Sequence, residues 1–301
     1  MSYRLKRKEP VPDGIKRLAA EQIDAASSQL ASGKNREEAV HEARKCVKKM
    51  RGLLSLASYG KEDKRLRDIG RALSGIRDAT VIVETFDTLL EKHKATLNKE
   101  QLADVRCELE RAPEFREGIE RAVTGLRSVR GRIETWPLQA DGFAALEEGL
   151  TASYRRGRKR LHLAEKTGDA SDLHELRKSA KEHWYHMRLF EDLWPEPIGA
   201  RAAALKDLET WLGEHHNLAV LRERLPKEPR EPIQLLLVLI EGEQKDLERN
   251  SISLARRLYE QKTKPFIRDL SKLWDVWHEE AKLPPRKQPA TASASKRTKT
   301  A

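Results

Sequence analysis

One basic phrase occurs twice in this chain. "VHEARKCVKKMR" runs from Val40 to Arg51 and "LHELRKSAKEHW" from Leu173 to Trp184, and both read apolar-His-x-x-Arg-Lys-x-x-Lys. Val40, Ala43, Val47, Met50, Leu54 and Ala57 recur at steps of three and four, as do Leu173, Leu176, Ala180, His183, Met187 and Phe190. Only a helix gathers such positions into one seam. Beside the first seam runs a stripe of His41, Arg44, Lys45, Lys48, Arg51 and Ser55. Beside the second run His174, Arg177, Lys178, Lys181, Tyr185 and Arg188. The fold must bury two seams and find a use for two rows of like charge.

The rest of the sequence predicts more helix. Leu, Ala, Glu, Lys and Arg dominate, and alternating β-branched runs are few. Helices are expected over about 14–31, then from a capping-box start at Asn35 and Glu38 to about 58, then over 61–73, 79–94, 99–110 and 114–130. A second series opens near Gly142 with one long helix. Asp169 or Ser171 caps the next, which carries the second phrase and ends at "LWPEP". "LSGIRDATV" (Leu73 to Val81) aligns with "LGEHHNLAV" (Leu212 to Val220), each read as a short turn between two helices. The repeated series predicts an all-α chain of two bundles, about four long helices each, related by pseudo-two-fold symmetry from an internal duplication. The expected organisation is a basic segment over 1–9, one domain over 10–282 with halves 10–135 and 140–282, and a disordered basic tail over 283–301.

The net charge of +11 comes from 59 basic and 48 acidic residues. Much of the excess sits at the ends: Arg4, Lys6, Arg7 and Lys8 near the start, and Arg286, Lys287, Lys296, Arg297 and Lys299 in an acid-free tail. The body is nearly balanced, so a polyanion site in it needs local clustering. The two cysteines, Cys46 and Cys107, lack zinc spacing and fit a reducing cytoplasm. "IQLLLVLI" (Ile233 to Ile240) is too short to span a bilayer, so no membrane association is expected.

Like charges at i,i+4 weaken a helix, and a merely solvated face mixes Glu with Lys. Glu42 and Glu175 lie off the stripes, which hold no acid. Two acid-free stripes in register point to an anionic partner, and the paired histidines to a phosphate-oxygen donor or a strut for an arginine. A third cluster, "YRRGRKR" (Tyr154 to Arg160), places Arg155, Arg158, Lys159 and His162 on one face, and Arg156 and Arg160 on another. Lys16, Arg17, Arg71 and Arg77 are weaker candidates.

"EAVHEARKCVKKMRGLLSL", "SGIRDATV", "YRRGRKRL", "LHELRKSAKEHWYHMRLF" and "LGEHHNLAV", in that order, resemble the CHAD family of histidine-containing helical domains, over about residues 10 to 282. The resemblance implies two four-helix bundles around a basic central channel that binds inorganic polyphosphate. It implies His41, Arg44, Lys45, Lys48 and Arg51 as ligands in the first half, and His174, Arg177, Lys178, Lys181 and Tyr185 in the second, with Arg155, Arg158 and Lys159 as flanking candidates. Arg77-Asp78 becomes His216-Asn217 in the second half, which predicts a weaker second stripe. The β-strands of the triphosphate-tunnel domain often fused to such chains are missing. Targeting to polyphosphate granules is one use expected of such binding, and the biological purpose is left open.

Two other functions compete. A nucleic-acid binder could use the same stripes and the tail, but aromatics for stacking are scarce and no groove-reading motif is present. A metal-dependent phosphohydrolase needs a metal site or an acid/base constellation. Glu37-Glu38 and Glu147-Glu148 read as cap and solvated residues, and His215 and His216 diverge on a helix. The expectation is therefore a non-catalytic protein with no cofactor and no metal site. Oligomeric state is left open.

Overall fold

Asn35 starts the helix that carries the first phrase. Its side chain accepts from the Glu38 backbone N–H at 3.3 Å, satisfying one of the free donors of a helix start. The computed structural model describes residues 3–32, 35–110, 116–227 and 230–282, without the side chains of 75–79, 116 and 117. In chain order the helices are α1 (Val11–Ser32), α2 (Arg36–Leu56), α3 (Asp63–Ala72), α4 (Ser74–Lys92), α5 (Ala103–Glu110), α6 (Arg116–Arg130), α7 (Ala144–Thr167), α8 (Ala170–Leu189), α9 (Pro195–Arg224), α10 (Glu231–Tyr259) and α11 (Thr263–Glu280). No strand occurs among the described residues, so the fold is all-α. The charged tail from 283, and the Arg77 and Asp78 side chains, lie outside the described residues.

Both apolar seams are buried. Val40, Ala43, Val47, Met50 and Leu54 on α2 join one large core with Leu173, Leu176, Ala180 and Met187 on α8 and Phe190 just past its end. α1 packs on α2 and α6, α3 on α6, α7 on α8, and α8 on α9. A second, smaller core forms where Ile82, Phe86 and Leu89 of α4 meet Leu218 and Leu221 of α9 and Ile233, Leu236 and Ile240 of α10. Ile233, Leu236 and Ile240 of the apolar run are spent on this core, while Leu235 and Val238 face solvent. α4 reaches across from the first half of the chain to do so, and α2 packs on both α7 and α8. The N-terminal segment is also tied down: Tyr3 and Leu5 are buried, and the Tyr3 hydroxyl donates to the Lys49 carbonyl at 2.8 Å.

The expected turns differ from what forms. "LGEHHNLAV" is uninterrupted helix inside the 30-residue α9. Glu209 and Gly213, one turn apart on α9, must both face α8, and only continuous helix allows that. In the first half the chain breaks at Leu73 alone (φ −95°, ψ 0°), and α4 starts at Ser74 rather than 79. "SGIRDAT" is a helix start, not a turn.

At one place the approach of the two halves is set by a missing side chain. A Cβ on Gly149 of α7 would overlap the backbone carbonyl oxygens of Ser55 and Leu56 at the end of α2. Backbone cannot move aside as a side-chain tip can. Gly149→Ala should therefore destabilise by about 1–3 kcal/mol despite its better helix propensity. Gly60→Ala, where a Cβ meets nothing, should stay within about 0.5 kcal/mol of wild type. Urea unfolding of both variants measures the contrast.

Candidate anion-binding site

Packing α2 against α8 brings part of each basic stripe to one place. Lys48 comes from α2. The charges that act on it most strongly are Lys181, Arg44 and Arg177, opposed by Glu209 of α9. Lys48 makes no hydrogen bond or ion pair with the described residues. Burial, then the three neighbouring cations, push its amine down to about 7. Arg44 donates to the Leu73 carbonyl at 3.0 Å, which ties its guanidinium to the break between α3 and α4.

Across the contact, Glu209 organises the α8 side. It is only 3 % exposed and accepts from Arg177 at 3.1 Å, Lys181 at 2.7 Å and Lys206 at 2.8 Å. Burial pushes its carboxyl up, but Lys181, Lys206 and Arg177 outweigh burial and hold it down at about 2. Burial lowers the Lys181 amine, and Glu209 works against that. Arg177 lies flat on α9: a Cβ on Gly213 would come within 3.1–3.3 Å of its guanidinium atoms. Its Nε is buried with no partner. Arg177 and Lys181 remain 25 % and 21 % exposed, so each keeps donors facing outward.

The other candidate residues are placed elsewhere or held differently. Lys45 donates to Glu42 at 2.8 Å and Lys178 to Glu175 at 2.6 Å, both on the surface. Arg51 pairs with Asp63 of α3 at 2.7 Å. His41 is half-exposed, with Nε2 4.0 Å from Glu42. The His174 ring lies tilted against His216 of α9 with centroids 3.9 Å apart, and its Nδ1 is buried without a partner. Burial first, then His216 and the cations of α8, lower it to about 4, so it is neutral at physiological pH. Tyr185 is buried between Tyr3 and Trp184 and against Gly52. Arg155 and Lys159 are exposed. Arg158 donates to the Tyr259 and Glu260 carbonyls at 2.6 and 2.9 Å, and so caps the end of α10. Arg156 pairs with Glu182, and Arg160 with Glu175, which ties α7 to α8.

The structure therefore gathers Arg44, Lys48, Arg177 and Lys181, and adds Lys206, Glu209 and Gly213, which sequence reasoning missed. A lone Glu on a charged helix gives no sign that it is buried. The only available signal was its spacing: Lys206, Glu209 and Gly213 recur at i, i+3 and i+7 on one helix face. Among the described residues no group of three His, Cys, Asp or Glu is placed to hold a metal ion, and no helix is long and apolar enough to cross a membrane.

Replacing Glu209 leaves three cations without their shared counter-charge. Glu209→Gln should destabilise by about 2–3 kcal/mol, below the usual figure for a fully buried pair because its partners are partly solvated. The sign with pH follows from the lowered carboxyl. The wild-type contribution is complete above the unfolded carboxylate range and is lost as pH falls through about 2. Denaturant unfolding at pH 7 and pH 3 should show the difference between wild type and Glu209→Gln shrinking in acid.

The chain matches no curated protein. The family model for the CHAD domain matches residues 14–226, well over half the chain, from α1 through α9, and stops before α10. The match contains both histidine phrases and the helix that carries Glu209. The chain belongs to the CHAD domain family.

Proposed function

We propose that the chain binds inorganic polyphosphate, without catalysis, in a groove where Arg44 and Lys48 of α2 face Arg177 and Lys181 of α8. The observation that carries this reading is Lys48. A partly buried lysine set among three cations, with no acid at bonding distance, costs stability unless an anion joins it. The CHAD family is generally linked to polyphosphate binding, which supports the choice of anion. The two halves are read as copies of one unit, α1–α2 in one and α7–α8 in the other, each lending one cation row. Polyphosphate repeats one charge along a flexible chain and has no bases to read, so charge and donor geometry suffice. Arg offers a planar fork for two oxygens and Lys a mobile point charge. Attachment of the protein to cytoplasmic polyphosphate granules is the use we propose for such binding.

Long-chain polyphosphate titrated by calorimetry into wild type and into Lys48→Ala/Arg177→Ala tests the site. About four phosphate contacts predict an affinity loss on the order of 50-fold between 50 and 200 mM salt. The double variant should bind at least about tenfold more weakly, since each lost charged hydrogen bond is worth about 1.5 kcal/mol or more. Unchanged affinity in a folded double variant would move the anion off the groove, and stronger binding of single-stranded DNA in competition would change its identity.

Protonation gives a second, independent test. The free amine of Lys48 titrates near 7 under burial and the charges of Arg44, Arg177 and Lys181, with Glu209 opposing. A bound polyanion raises it. Binding above pH 7 should therefore take up protons, and affinity should fall as pH rises from 7 to 9. Calorimetry in buffers of different ionisation enthalpy reads the uptake, which Lys48→Ala should abolish.

A further inference from the structure

Past Lys181 the basic stripe of α8 continues to Arg188, two helical turns further and about 10 Å along the axis at about 1.5 Å per residue. The cations there are held differently. The Arg188 guanidinium lies over the Trp184 ring, 5.7 Å from its centroid, and the Lys206 ammonium of α9 lies over the same ring at 5.1 Å. The Lys49 ammonium of α2 lies over the Tyr3 ring at 5.7 Å. The rings form one shelf: Trp184 stacks on Tyr185 with centroids 4.9 Å apart, and Tyr185 meets Tyr3 edge-on at 6.2 Å. The hydrogen bond from the Tyr3 hydroxyl to the Lys49 carbonyl ties the outer end of the shelf to α2. Lys49 and Arg188 are partly exposed, Lys206 is exposed, and among the described residues neither Lys49 nor Arg188 bonds a carboxylate. Burial is the larger cause that lowers the Lys49 amine, and the Arg188 charge adds to it, so these two cations are close enough to repel. Lys206 bonds Glu209, the carboxylate that also holds Arg177 and Lys181. The shelf and the groove therefore meet at one acid. A carboxylate partner cancels a cation's charge, whereas a ring face orients the cation and leaves its charge whole.

We propose that Lys49, Arg188 and Lys206 form a second phosphate cluster beyond the groove, and that the protein thereby selects polyphosphate chains long enough to occupy both. This rests on the reading that the groove of Arg44, Lys48, Arg177 and Lys181 takes polyphosphate. Arg188 offers N–H groups that no protein acceptor uses, in a fork suited to two phosphate oxygens. Lys49 and Lys206 add point charges on either side. Trp184 and Tyr3 are positioning residues, which aim the cations. A triphosphate fills one cluster. A long chain crosses from Lys181 to Arg188 and makes the second set of contacts without a second loss of free motion. Tyr3 precedes residues 14–226, which the family model matches, so family membership does not imply this cluster.

The test compares tripolyphosphate with long-chain polyphosphate by calorimetry on the full chain, in wild type, Lys49→Ala/Arg188→Ala and Lys48→Ala/Arg177→Ala, each verified as folded by circular dichroism. In Lys49→Ala/Arg188→Ala the long-chain affinity should fall at least about tenfold, as expected for two lost charged hydrogen bonds. The slope of log K against log salt should flatten by about 1.4, the value for two lost contacts to a single-stranded polyanion. Tripolyphosphate affinity should stay within about twofold of wild type, because the groove is untouched. Trp184→Leu, which removes the shelf and keeps every charge, should weaken long-chain binding about threefold, and Trp184→Phe should restore it. Unchanged long-chain affinity in Lys49→Ala/Arg188→Ala would overturn the proposal, as would an equal loss for both chain lengths. The two double variants separate this inference from the reading it rests on. A long-chain loss in Lys48→Ala/Arg177→Ala alone sinks the second cluster and keeps the groove. A long-chain loss in Lys49→Ala/Arg188→Ala alone sinks the groove reading and leaves the shelf as the phosphate site.

Discussion

The C-terminal half of α2 is the junction on which the arrangement depends. His186 of α8 is fully buried there. Its Nε2 donates to the Gly52 carbonyl of α2 at 2.9 Å, and its Nδ1 lies 3.1 Å from the Ser153 hydroxyl of α7. The carbonyl can only accept, so this pairing requires a proton on Nε2, which the neutral imidazole can hold there. Burial lowers the ring's proton affinity and keeps it in that form. Gly149 lets α7 touch the carbonyls of Ser55 and Leu56, and Gly52 lets the Tyr185 ring lie close to α2. Three helices from two distant stretches of chain are clamped at one point. The facing of the two cation rows follows from that clamp.

Bringing like charges together costs free energy, and the two sides meet the cost differently. On the α8 side Glu209 supplies a shared counter-ion from α9, and three cations bond to it. On the α2 side the Lys48 amine loses its proton more easily. These are the two general responses to a buried charge: pair it or neutralise it. The first leaves outward-facing donors fixed in place. The second leaves a group whose charge an incoming anion can restore. The cation cluster thus holds a neutralisable amine on one side and acid-bonded cations on the other.

Basic residues on the two phrases are alike in the sequence and unlike in the structure. Lys45 and Lys48 are one turn apart, yet Lys45 bonds Glu42 on the surface while Lys48 faces α8. Arg158 looked like part of a polyanion cluster, and it caps α10 instead. Glu42 and Glu175 of the same helices reach Lys45 and Lys178, but the acid that holds Arg177 and Lys181 arrives from α9. Pairing with a neighbouring helix's carboxylate therefore accounts for Arg177 and Lys181 of the second stripe and Arg51 of the first, but not for Lys48. The expected turn at 212–220 was a misreading for the same reason. A glycine flanked by polar residues resembles a break, until the guanidinium packed on it shows why a side chain is missing.

The sequence by itself determined the all-α class, the buried seams of the two phrase helices and the cap at Asn35. These depend on residues a few positions apart, where helical periodicity and local hydrogen bonding decide. Family membership was legible in the order of five phrases along the chain, because each phrase is a local pattern. Only the tertiary structure decided which cations meet. Glu209 sits 32 residues from Arg177 and His186 sits 134 from Gly52. No local pattern encodes such pairings, because the energy of a buried charge depends on what packing brings within a few ångströms of it.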